Sequence, residues 1–404
     1  VLHNRDFRLY WFGQAVSLSG TWMQVMAQAW VVTALSTSAT VLGALNVAST
    51  LPMLLLSMIG GALADRFEKR RILIATQIGM MLLAFVFAAL VFTHHIALWQ
   101  IFLLAFLLGV VAAFDLPAAQ AFPPELVRRD EIQKAVALMQ SIFHGSRLVG
   151  PAIAGVLVAR FGEGSAFLVN GLSFMAVIAT LLAIDDRPRA AAGAPRRGSG
   201  GIGAGFRYVR RERLVGSLIA LTGLTTVFVF PLFAVLMAFY VRHVLNGGAH
   251  TMGVLMSVSG LGALAGAVAL LFGSDRTVRR WLVGGALGCT VGILGLSYAV
   301  RLGPAVVFML VLSYSVSALM GRIAQTIQHV VPNELRGRVM AVFTMAFTGL
   351  MPYAALGLSA LADAVGFARM LRVCVVLYAI TATIVLLRVP QPAPAAASEP
   401  AAAS

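Results

Sequence analysis

Between Leu9 and Ala64 the chain contains no Asp, Glu, Lys or Arg. One passage through the hydrocarbon layer of a bilayer takes roughly 20 apolar residues, so this single stretch holds two crossings. A second uncharged run reaches from Ile72 to Phe114, and others fill Leu214 to Val241, His243 to Ser274 and Val339 to Ala362. Composition agrees, with 60% hydrophobic and 11% charged residues against roughly 25% charged in a soluble domain.

Turn residues and charges divide the chain into spans at Tyr10–Ala34, Ala39–Ala64, Ile72–Thr93, Ile96–Phe122, Ala135–Ala159 and Ser165–Ile184. The second set lies at Leu214–Val241, Thr251–Gly273, Trp281–Val300, Pro304–Val330, Val339–Ala362 and Phe367–Leu387. The expected fold is therefore an all-α membrane protein of about twelve transmembrane helices. Residues 1–184 form a six-helix bundle, 185–213 a linker, 214–388 a second six-helix bundle and 389–404 a disordered Ala/Pro-rich tail. Within the linker, Phe206 to Arg211 reads either as a basic amphipathic helix on an anionic membrane surface or as a solvated charge run.

A net charge of +15 suggests nucleic acid in a soluble protein. Here most of the 30 basic residues gather in the short loops that place both termini on the cytoplasmic side, as the positive-inside rule requires. Nucleic acid is thus not an expected partner; the lipid bilayer is. Cys289 and Cys374 sit in apolar runs and read as small buried hydrophobes, so neither a metal nor a cofactor is expected. The polar start from Val1 to Arg8 leads into a full-length span, which argues against a cleavable signal.

A repeat supports the division. Shifting the chain by the interval that lays Gly162 on Gly366 also lays Asp130, Lys134, Ala137 and Gly145 on Glu334, Arg338, Ala341 and Gly349. With an even number of spans in each half, the two pseudo-repeats are parallel, related by an axis along the membrane normal.

After the second span the chain reads Gly61-Ala62-Leu63-Ala64-Asp65-Arg66-Phe67-Glu68-Lys69-Arg70, which resembles the loop signature of the major facilitator superfamily, with Glu68 in place of its second glycine. A weaker echo, Asp275-Arg276 and Arg279-Arg280, follows the eighth span. An Asp at the end of one helix can accept hydrogen bonds from the positive N-terminus of another. The eleventh span, beginning near Arg338, is the expected partner, and the resemblance implies a conformational latch (Gly61, Asp65, Arg66, Lys69, Arg70) that holds the outward-facing state. The alternative reading is a basic loop that only sets topology.

In the fifth span Gly145, Gly150, Pro151 and Gly155 resemble the glycine-proline signature of the drug-antiporter branch; the alternative is ordinary helix packing. The opening from Asn4 to Trp11 and the stretch from Asp115 to Ala135 are similar to bacterial enterobactin exporters and macrolide-efflux proteins. The resemblance implies a secondary transporter of the bacterial inner membrane, monomeric as is usual in the superfamily. It would export a small amphiphilic molecule (a drug, siderophore or secondary metabolite) by alternating access with proton antiport.

An ionisable side chain inside the membrane costs about 3 kcal/mol or more unless paired or hydrated. Asp115, His144, Arg147 and Arg322 are therefore the candidates for proton coupling, with Asp115 expected beside Arg147 or Arg322. A permanent structural ion pair is the alternative, and His144 also reads as a packed helix residue. Gln24, Gln28, Asn46, Phe228, Phe233, Tyr314 and Gln325 are the candidate cavity residues, with interhelical hydrogen bonds and lipid packing as their ordinary explanations.

Other classes fit poorly. The only lysines, Lys69 and Lys134, are not part of a phosphate-binding GxxxxGK loop, and no GxSxG or HExxH supports an intramembrane enzyme. A proton-coupled importer of the same fold is the closer rival, with the glycine-proline signature as the feature against it.

Overall fold

A computed structural model describes residues 1–184, 203–272 and 278–389, and the described residues are helices and turns without strands. Most of the linker, the Asp275-Arg276 echo and the tail lie outside the described residues.

Six long helices come first: α1 (Arg5–Leu35), α2 (Ala39–Arg66), α3 (Lys69–Phe92), α4 (Leu98–Ala121), α5 (Ile132–Phe161) and α6 (Gly164–Ala183). α1 starts earlier than expected because the Asn4 side chain accepts from the backbone N–H of Asp6 at 3.1 Å, an N-cap that carries Arg5 and Arg8 onto the first turns. After the short basic helix α7 (Gly203–Arg211), the seventh span is cut into α8 (Arg213–Phe228), α9 (Phe230–Ala234) and α10 (Met237–His243). Then come α11 (Ala249–Ala269), α12 (Val278–Tyr298) and α13 (Leu302–Val330). The eleventh span is α14 (Asn333–Thr344), a π-helical turn (Met345–Gly349) and α15 (Met351–Val365), and α16 (Phe367–Leu387) is the last.

Among the described residues, 10 helical segments are long and apolar enough to cross a membrane, fewer than the twelve expected. The two shortfalls have different causes. α1 has 31 residues, but Gln14, Gln24, Gln28 and several Ser and Thr dilute its apolar character. The seventh span fails on continuity, because Pro231 brings no backbone N–H to the first turn of α9 and the breaks leave pieces of 16, 5 and 7 residues. Broken backbone at membrane depth is tolerated only inside protein or beside a cavity. Val229, Val235 and Leu236 at the breaks are buried accordingly.

In the first six helices α1 packs on α5 and α6, α2 on α4, and α3 on α4 and α6. In the later ones α11 and α12 pack on α13, and α16 on α8 and α12. The two sets meet mainly through α2 with α15 and α5 with α11. Tight connections make neighbouring helices antiparallel, so the ends at Arg66, Lys69, Ala121 and Ile132 share one face, here called the basic face. Leu35, Ala39, Phe161 and Val365 end on the opposite face. Gly162 after α5 and Gly366 after α15, matched in the sequence repeat, both adopt positive φ (81° and 89°), where any side chain would be strained.

Candidate transport pathway

On the opposite face, a carboxylate from one set of helices caps a helix of the other. Ser38 stands at the N-cap of α2, yet its own side chain does not cap the helix. Asp363, near the end of α15, supplies the missing acceptor. It takes hydrogen bonds from the Ser38 hydroxyl (2.5 Å), the Ala39 N–H (2.7 Å), and the Thr40 N–H and hydroxyl (2.9 and 2.6 Å). Anionic oxygen at a helix N-terminus satisfies orphan donors and complements the helix dipole.

Close backbone approach surrounds this clasp. A Cβ added at Gly43 of α2 would stand 2.7 Å from Leu356 Cα, and one at Gly253 of α11 would stand 2.7 Å from the Pro151 carbonyl oxygen. Gly155 faces Gly253 in the same contact. Arg242, at the end of α10, donates to Thr33 Oγ1 at 3.1 Å and the Trp30 carbonyl at 3.3 Å and lies 4.6 Å above the Trp30 ring. Glu163, in the turn between α5 and α6, has its carboxyl pushed above the usual range by burial, with Arg242 and His94 opposing the shift.

The basic face is different. Asp65, Arg66, Phe67 and Glu68 are exposed, and the anticipated contact between Asp65 and the eleventh span is not made. The eleventh span also starts earlier than expected, at Asn333, and α7 packs against α14 so closely that a Cβ at Gly205 would lie 2.7 Å from the Arg338 carbonyl. The Asp363 clasp is engaged on the opposite face while the Asp65 loop stands exposed on this one. The remaining signature residues bind within their own half. Lys69 pairs with Glu125 at 2.5 Å, and Arg70 donates to the carbonyls of Leu181 and Leu182 at the end of α6 (2.6 and 3.1 Å). Gly61 has no neighbour that a Cβ would meet.

Between α1, α2, α4 and the broken seventh span lies a cavity of about 300 Å³. Gln24, Gln28 and Asn46 line it together with Asn170, while Phe174 and Val235 give it apolar wall. Gln24 accepts from Asn170 Nδ2 at 2.6 Å, whereas the buried Asn46 Oδ1 has no hydrogen-bond partner. Among the described residues no charged side chain lines this cavity.

Four expected cavity residues lie elsewhere. Phe228 packs on the core, and Phe233 is buried against Phe230 and Arg147. Tyr314 lines a separate groove with Arg280 and Trp281, while Gln325 is exposed and accepts from Arg322 at 3.4 Å. Periodicity placed these residues in the right helices but not on the inward stripe.

The intramembrane charges are also arranged differently from expectation. Asp115 accepts from Thr76 Oγ1 at 2.6 Å and Gln77 Nε2 at 3.0 Å, both on α3, and is not paired with Arg147 or Arg322. The reason is topological: α4 packs on α2 and α3, whereas Arg147 on α5 faces α1 and the seventh span. The Arg147 guanidinium carbon lies 5.6 Å from the Trp22 ring centre and 5.4 Å from that of Phe233. His144, one turn earlier, has a buried Nδ1 without a partner, and Arg322 is buried in α13. Of the glycine-proline signature, Gly150 approaches Ser19 of α1 and Gly155 approaches α11, but Gly145 faces open space and packs on nothing in this conformation.

Sequence reading missed Asp363, Ser38, Thr40, Trp22 and Arg242. The one available signal was Ser36-Thr37-Ser38 directly ahead of α2, a run of N-cap residues.

A multi-pass helical bundle around an uncharged, mostly apolar cavity with a few amide side chains, clasped across one face by Asp363, defines a membrane transporter of the major facilitator fold. The chain belongs to the family described as transmembrane secretion effector, whose profile matches residues 1–403. It is a transporter rather than an enzyme. It is 28% identical over 376 residues to the multidrug efflux pump Tap of Mycolicibacterium fortuitum, covering 88% of each chain. Over 177 residues it is 31% identical to the staphyloferrin A transporter of Staphylococcus aureus, a match that spans 43% of this chain and 44% of that protein. The fold is similar to that of a bacterial homologue of the human lysosomal transporter Spinster (TM-score 0.73, 14% identity, 95% of this chain and 96% of that one).

Proposed function

We propose that this protein exports a small amphiphilic molecule across the bacterial inner membrane by alternating access coupled to proton antiport. The basic face is the cytoplasmic one, and both termini lie there. Residues 1–184 and 214–388 are the two moving halves, joined by the linker at 185–213, and the working unit is a monomer. The carrying observation is the cavity beside the Asp363 clasp: cargo can be held between halves that are tied on the outer side while the Asp65 loop stands open inside. The similarity to a multidrug pump over 88% of both chains supports export.

Asp115 is the proton-responsive carboxylate of this scheme. Its hydrogen-bond partners, Thr76 and Gln77, are neutral, so no ion pair has to be broken when a proton arrives. Asp65 engages the eleventh span in the outward-facing state. Purified protein in vesicles with an imposed pH gradient tests the proposal. Addition of an amphiphilic compound from a chemically varied panel should dissipate the gradient in the antiport direction, and a panel without any response would refute it.

A further inference from the structure

A guanidinium sits inside the membrane-spanning bundle without an acid. Arg147 occupies the middle of α5 (Ile132–Phe161), and among the described residues it has neither a carboxylate in salt-bridge range nor a hydrogen-bond acceptor. The rings of Trp22 from α1 and Phe233 from α9, at 5.6 and 5.4 Å, offset part of its charge through cation–π attraction. Rings do nothing for its five N–H donors, which require oxygen acceptors. The side chain is partly exposed, so these donors stay within reach of a ligand oxygen, and a charged side chain inside a membrane bundle marks a functional site.

The surroundings are held in place. Gly150 brings α5 so close to α1 that a Cβ there would lie 2.7 Å from Trp22 Cβ, and Trp22 meets Phe143 edge-on at 5.8 Å. One turn before Arg147, His144 adds a buried Nδ1 that also bonds to nothing. Two nitrogen-bearing side chains without acceptors thus share one stripe of α5, walled by aromatic rings from both halves of the protein.

We infer that Arg147, flanked by Trp22 and Phe233 whose chain neighbours Thr21 and Ala234 line the cavity, is the anchor beside that cavity for an anionic oxygen group on the cargo, a carboxylate or phosphate attached to an aromatic or apolar body, with His144 as a second contact. The guanidinium offers two parallel N–H bonds to such a group, and the partly exposed Trp22 packs on the attached body while the buried Phe233 backs the guanidinium. Because Phe233 lies in the broken seventh span and Arg147 in the first half, an anion bound here touches both moving halves. The inference rests on the transport reading above and specifies the cargo that the reading leaves open.

The test is calorimetric titration of the purified full chain in detergent with naphthoate, naphthyl phosphate, naphthylmethanol and naphthylmethylammonium, which share one ring body and differ in charge. At least one anion should bind about tenfold more tightly than the alcohol and the amine. Arg147→Gln should abolish that preference and Arg147→Lys should keep part of it. Without anion, Arg147→Met should melt at the wild-type temperature or above, because it removes a charge that the protein does not pair.

Equal binding of all four probes, no binding by any, preference for the amine, or an anion preference surviving Arg147→Gln would each overturn the inference. So would a lower melting temperature for Arg147→Met without anion, which would mark a structural cation held by its rings. Binding needs no gradient, so the two readings fail separately. Anion binding with no transport in vesicles refutes the transporter proposal alone, and export of cations without anion preference refutes only the role of Arg147.

Discussion

Asp363 accepts a hydrogen bond from the backbone N–H of Ala39 at 2.7 Å, and with it an acidic residue of the eleventh span completes the N-terminus of the second. The signature loop implies the same device in reverse on the other face, where Asp65 at the end of the second span is suited to the N-terminus of the eleventh. The Asp363 cap is engaged here, and the proposed Asp65 cap would be its counterpart on the same helix pair at the other face.

Removing the engaged cap should favour the alternate state. Loss of a helix N-cap costs about 1 kcal/mol, which corresponds to about a fivefold shift in a two-state equilibrium. Asp363→Ala should therefore lengthen distances between spin labels on the two sets of helices at the face opposite the basic one, as read by pulsed electron resonance. An unchanged distance distribution would rule out the clasp.

Asp65→Asn should act with the opposite sign. Asp65 is exposed in this conformation, so the substitution should leave its thermal stability unchanged while weakening the state closed on the basic face. The same labels should report more of the conformation described here, and a shift the other way would refute the paired-cap arrangement.

Gly253→Val tests whether backbone approach seals the face opposite the basic one. Its added carbons meet the Pro151 carbonyl and Gly155, and overpacking of this kind costs about 1–3 kcal/mol. The variant should label more readily with a bulky thiol reagent at a cysteine introduced in the cavity from that face, and wild-type labelling rates would argue against the seal.

Asp115→Asn keeps an oxygen to accept from Thr76 and Gln77 but removes the titratable group. Melting temperature should hold while pH-gradient-driven export falls to the background of empty vesicles. Full gradient-driven export by this variant would exclude Asp115 from coupling.

Much of the fold is legible in the chain because the bilayer allows few choices. Uncharged runs such as Leu9 to Ala64 must become helices whose backbone groups are satisfied internally, and the repeat that matches Gly162 with Gly366 reappears as two positive-φ turns. The seventh span misleads for a related reason. Its hydropathy is continuous, but Pro231 and the breaks beside the cavity interrupt the helix, and hydropathy does not sense a local loss of backbone hydrogen bonds. The site was legible in part: Gln24, Gln28 and Asn46 line the cavity, while Tyr314 and Phe233 carry the same chemical signal on other faces.

By itself the sequence determined that this chain crosses the membrane many times, which loops are basic, and that Asp115, Arg147 and Arg322 must have reasons to lie within membrane spans, because each of these follows from the cost of charge in hydrocarbon. Only the tertiary structure decided what those reasons are. Asp115 rests on neutral donors of α3, Arg147 lies between two rings with its N–H groups unused, and Asp363 meets a helix far away in the chain. Such pairings depend on which helix faces meet across the bundle, and that is not encoded in local spacing.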